Sequence, residues 1–109
     1  MTVRVACVGA GYFSQFHYQS WARLDGAHLA GACDQEVVRA EATGLPAFDR
    51  LETMLEAVDP DLLDIILPPV AQAVAIRAAL AHGVGWIICQ KPFCRSIDEA
   101  CAIAAEAEA

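Results

Sequence analysis

Six residues of mostly apolar and β-branched character, Val3–Val8, run directly into Gly9-Ala10-Gly11, and a stretch with helical apolar spacing begins immediately after. A strand that turns on glycines straight into a helix needs another strand to bury the helix's inner face, so this junction commits the chain to a layered α/β arrangement. The rest of the sequence repeats that rhythm. Short apolar runs at 28–33, 47–48, 62–67 and 86–89 alternate with helical stretches at 13–24, at about 36–43, from a capping box at 49–52 to about 58, and, after a loop that starts at Pro68-Pro69, through 82, with a final helix to the end of the chain. This alternation is the signature of βαβ units and a parallel sheet.

The punctuation agrees with the rhythm. Gly44 and Gly83 stand where helices need a left-handed cap, and Asp59-Pro60 stops the third helix. Asp49-Arg50-Leu51-Glu52 and Ser96-Ile97-Asp98-Glu99 both have the spacing of a capping box. Five strands with their helices are expected, in a doubly wound Rossmann-type sheet whose complete order is 3-2-1-4-5-6. The sixth strand of that order, and any C-terminal α/β domain, have no counterpart in residues 1–109, which read as a single truncated domain. The uncharged run 86–89 then becomes a bare sheet edge, and the chain is expected to form homo-oligomers.

Charge and composition narrow the partners. A net charge of -7 with no basic stripe argues against nucleic acid, since duplex binding needs clustered Lys and Arg. The same charge does not exclude a pyrophosphate, which needs only a local field at one helix N-terminus. The most apolar region, 62–81, is broken by Asp64, Pro68, Pro69, Gln72 and Arg77, so no membrane span or membrane partner is expected. No secretory leader precedes Gly9, and the cytoplasm is the expected location. Cys7, Cys33, Cys89, Cys94 and Cys101 form no C-x-x-C pair and no metal-like spacing with His17, His28 and His82. No metal is expected, and the strand cysteines read as small buried hydrophobes.

Three sites carry chemistry. Gly9-Ala10-Gly11-Tyr12-Phe13-Ser14 is G-x-G-x-x-S between a strand and a helix. Gly9 serves the tight turn, Gly11 admits a pyrophosphate to the backbone, and the amides of Tyr12 and Phe13 are candidate donors to it. Ser14 replaces a third glycine at a modest packing cost. Asp34 follows the second strand about twenty residues later, placed to accept from the hydroxyls of an adenosine ribose and to repel a 2′-phosphate. NAD is the expected cofactor, with NADP left open by the neighbouring Arg39. A solvated turn or helix cap is the bland alternative for Asp34. Gln90-Lys91-Pro92-Phe93 and Pro68-Pro69 mark the carboxyl ends of the fifth and fourth strands, the edge where open α/β sheets bind ligands.

In order and spacing these motifs resemble the N-terminal domain of the glucose-fructose oxidoreductase and inositol dehydrogenase family, also called Gfo/Idh/MocA, and the resemblance covers the whole chain. It rests on the glycine turn with His17 three residues after it, Asp34, Pro68-Pro69 and Gln90-Lys91-Pro92. The resemblance implies an oxidoreductase that moves hydride between a nicotinamide and a sugar, polyol or cyclic alcohol. It implies that Lys91 is the catalytic residue, binding the reacting hydroxyl and assisting its proton loss, and that Pro68 and Gln90 flank the cofactor. It further implies a cis Lys91–Pro92 bond, with other proton-relay groups in a second domain, so residues 1–109 alone are expected to be inert. Gln90 departs from the usual Glu, Gln72 from histidine, and Leu67 from a small polar residue. His17 is assigned no role. Two other classes compete: a non-catalytic dinucleotide sensor of the same fold, and a methyltransferase, which leaves Gln90-Lys91-Pro92 without a purpose.

Overall fold

The computed structural model describes residues 2–11, 14–90 and 96–108. Its elements are β1 (Val3–Val8), α1 (Ser14–Arg23), β2 (Ala27–Cys33), α2 (Val37–Glu41), β3 (Ala47–Phe48), α3 (Leu51–Val58), β4 (Leu62–Ile65), α4 (Pro69–His82), β5 (Trp86–Cys89) and α5 (Ile97–Glu108). All strand pairs are parallel, in the order β3-β2-β1-β4-β5. This is the doubly wound arrangement the alternating pattern predicts, and the order reverses between β1 and β4.

Alternation along the strands sends successive side chains to opposite faces. Ala6 and Val8 of β1 and Leu63 and Ile65 of β4 join the larger core cluster with Met54, Leu55 and Val58 of α3, Ile76 and Ala79 of α4, and Ile103 of α5. Cys7 lies on the opposite face, where Tyr18 of α1 and Ala40 of α2 cover it together with Ala32. Burial pushes the Cys7 thiol far above its ordinary range, helped by the charge of Asp64, and pushes Cys33 up to about 11 by the same desolvation, with Asp34 adding to it. Both stay protonated at neutral pH and pack as apolar groups. Cys89 is half-buried and Cys101 exposed, and neither is in a disulfide.

Several boundaries differ from the sequence pattern, each for a local reason. The second helix is shorter than 36–43 because Thr43 closes it early: its Oγ1 donates to the Ala40 carbonyl at 2.6 Å and its amide reaches the same oxygen at 3.2 Å. Gly44 then takes the left-handed conformation, at φ 80°. The fourth strand ends at Ile65 instead of residue 67. Ile66 makes one last bond to the Val8 carbonyl, the Leu67 carbonyl is taken by the Gln72 side chain, and the prolines beyond have no amide to extend the ladder. The capping box expected from Asp49 does not form. Arg50 is the N-cap of α3, without a side-chain cap bond, so Asp49 lies one residue too early. At α5 the Ser96 Oγ does accept from the Glu99 amide, at 3.1 Å.

The strand registers line up Phe48, Cys33, Val8, Ile65 and Cys89 across the sheet. The residues that follow them, among them Asp34, Gly9, Ile66 and Gln90, therefore share one rim at the carboxyl ends of the strands. Among the described residues no helix is long and apolar enough to cross a membrane.

Candidate functional site: a glycine turn between two aspartates

Gly9 leaves β1 at φ 104°, and a Cβ there would lie 2.2 Å from the Ile66 carbonyl oxygen, so both the conformation and the packing against β4 exclude a side chain. Its amide donates to the Cys33 carbonyl at 2.7 Å, and its own carbonyl accepts from the Tyr18 hydroxyl at 2.9 Å. Tyr18 is buried, and desolvation drives its phenol well above the ordinary range, which keeps it a donor. Gly11 is the opposite case, with open space where its Cβ would be, as a turn that admits a ligand to its backbone requires. Ser14 is buried in place of the third glycine, and its hydroxyl donates to the Gly11 carbonyl, bracing the turn from within.

Asp34 is tied to this turn. Its Oδ2 accepts from the Ala10 amide at 2.9 Å and its Oδ1 from the Glu36 amide at 2.9 Å. The second bond is the local turn foreseen as the bland alternative, and the first holds the carboxylate against the glycine loop. Each oxygen keeps acceptor capacity, since a carboxylate offers about four lone-pair sites. Arg39, on α2, is paired with Glu36 at 3.0 Å with both side chains more than half exposed. A cleft of about 640 Å³ brings together Gly9, Gly11, Asp34, Arg39 and Pro68. Gln90 is not among the residues that line it. Tyr12, Phe13 and Lys91, and the Lys91–Pro92 bond expected to be cis, lie outside the described residues.

On the β4–β5 side of the turn stands a group that the motif reading passed over. Asp64, in the middle of β4, is 1% exposed. Its Oδ2 faces His17 Nδ1 at 2.9 Å and accepts from Trp21 Nε1 at 2.9 Å, both on α1, while its Oδ1 accepts from Gln90 Nε2 at 3.2 Å. Gln72, fully buried in α4, donates from Nε2 to the carbonyls of Leu67 at 3.1 Å and Gln90 at 3.0 Å. Gln90 is thus held by its side chain and its backbone at once. The available signal was the acid itself: a charge inside a strand that is otherwise Leu and Ile must have polar partners. Tyr18 and Trp21 carry the same signal on the inner face of α1, four and seven residues after Ser14.

The family model for an oxidoreductase family with an NAD-binding Rossmann fold, GFO_IDH_MocA, matches residues 3–109. The chain belongs to this family. It is 33% identical to the D-apiose dehydrogenase of Paraburkholderia graminis over 108 residues, covering 94% of this chain and 28% of that protein. Among solved structures, an oxidoreductase from Agrobacterium radiobacter in complex with NAD+, L-tartaric acid and magnesium superposes with a TM-score of 0.92 at 26% identity. That match covers 99% of this chain and 33% of the other. A WlbA dehydrogenase from Bordetella pertussis in complex with NADH and UDP-GlcNAcA shares the fold, at a TM-score of 0.91 and 22% identity, over 99% of this chain and 35% of that one. The chain therefore spans about a third of the length of these proteins. It is an oxidoreductase NAD-binding Rossmann domain, and the glycine turn with its open approach at Gly11 fits that cofactor.

Proposed function

We propose that residues 1–109 act as one domain holding NAD for a larger oxidoreductase that oxidises or reduces a sugar, polyol or cyclic alcohol. Gly9, Gly11, Tyr12 and Phe13 hold the pyrophosphate, Asp34 holds the adenosine ribose, and Pro68, Gln90 and Lys91 flank the nicotinamide. The nicotinamide, when bound, supplies the hydride acceptor or donor. Lys91 binds the reacting hydroxyl and favours its alkoxide electrostatically. The likeness to D-apiose dehydrogenase supports a sugar-class substrate. The absence of a disulfide among the described cysteines suits work in the cytoplasm.

The observation that carries this reading is the Asp34 carboxylate held at 2.9 Å on the Ala10 amide inside the glycine turn. A charge fixed there favours ribose hydroxyls and opposes a 2′-phosphate, and Arg39 is already engaged by Glu36. Asp34→Ala should lower affinity for NADH about tenfold, the loss of a charge-assisted bond, and affinity for NADPH much less. Calorimetric titration with both nucleotides checks this, and equal losses refute the assignment.

The chain also associates with copies of itself along β5, where Trp86 is 70% and Ile88 41% exposed beside an edge without charge or proline. Light scattering across a concentration series should show a rising mass. A strictly constant monomer mass refutes it.

A further inference from the structure

The register places the adenosine half of the sheet, β1 to β3, on one side of the glycine turn and β4 with β5 on the other. A dinucleotide lying across the crevice of such a sheet puts its second nucleotide over the β4–β5 half. Two residues before the rim of that half, on β4, lies Asp64, enclosed and held by three side chains from α1 and from the end of β5. One of those donors, Gln90, directly precedes Lys91 in the sequence.

We propose that Asp64 is a positioning residue for the nicotinamide end of the cofactor: its carboxylate holds Gln90 through one oxygen and His17 through the other, and so ties the helix behind the glycine turn to the chain that leads into Lys91. The neutral amide at residue 90 belongs to this arrangement. A glutamate there would set two carboxylates against each other at the present 3.2 Å, whereas glutamine donates to Asp64 Oδ1. With the Gln90 carbonyl held by Gln72, the rotation and the depth of this residue are both fixed. Asp64 touches no substrate, and it acts through Gln90.

The inference rests on the nicotinamide placement proposed above, and the test separates the two. ADP-ribose carries the adenosine, pyrophosphate and second ribose of NADH but no nicotinamide. The full chain should bind NADH more tightly than ADP-ribose. Asp64→Asn should lower NADH affinity about tenfold, as loss of a charge-assisted hydrogen bond does, and leave ADP-ribose within about twofold. Gln90→Glu should do the same. The double variant Asp64→Asn with Gln90→Glu restores one carboxylate and one amide with their positions exchanged, and should recover NADH affinity. If Asp64→Asn does not fold, Gln90→Met at its half-buried position removes the same contact and should lose NADH affinity selectively. Equal losses on the two ligands, no loss on either, or no recovery in the double variant overturns the role of Asp64. A wild-type chain that binds neither ligand overturns the dinucleotide site itself, and this inference with it.

Discussion

Asp34 and Asp64 sit at the two sides of one glycine turn, and they are held in opposite ways. Asp34 is half-buried and receives backbone amides, those of Ala10 and Glu36. Asp64 is enclosed and, among the described residues, receives side chains only, from His17, Trp21 and Gln90. Backbone donors come with the fold, so the first aspartate is oriented whatever side chains surround it. Side-chain donors must be specified one by one, and losing the acid takes the shared acceptor from three half-buried polar groups. The Asp34 side of the turn is thus built by topology and the Asp64 side by particular residues.

Three substitutions break or sharpen that contrast. The largest effect is expected at the shared turn. Gly9→Ala must accommodate a Cβ 2.2 Å from a backbone oxygen and a left-handed φ, and it should cost above about 4 kcal/mol, read as loss of a cooperative melting transition. Asp64→Ala should come next, at about 2–4 kcal/mol in denaturant unfolding, because it empties an enclosed position and takes the acceptor from three half-buried partners at once. Asp34→Ala should cost least, at about 1 kcal/mol, because water at the half-exposed rim can take up the freed amides. If Asp34→Ala proves as destabilising as Asp64→Ala, the contrast between topological and residue-specific support fails.

The same contrast explains what could be read in the sequence. The strand order and the five strands were legible because period and punctuation are local, and Val3–Val8, Ala47–Phe48 and Trp86–Cys89 lie where the pattern puts them. The turn and Asp34 were legible because backbone chemistry leaves a fixed spacing. Asp64, Tyr18 and Gln72 were not, because their meaning depends on which side chains the fold brings opposite them: Asp64 meets Trp21 across 43 positions and His17 across 47. Element ends failed where side chains intervened, with Thr43 closing α2 and Gln72 claiming the Leu67 carbonyl. The two capping boxes looked equivalent in sequence. One was misplaced by a single residue, since the chain enters α3 extended at Arg50.

The placement of the two tryptophans turns the same contacts into an optical property. Trp86 stands on the edge strand, open to water, where an aqueous quencher reaches its indole freely. Trp21 donates its indole hydrogen to the Asp64 carboxylate and packs against the inner core of α1. Fixed negative charge beside an indole nitrogen alters the energy of its excited state, so the emission that survives quenching carries the signature of that carboxylate. The protein therefore holds a reporter for each side of the sheet, one sensing what covers the free edge and the other whether the buried acid keeps its partners.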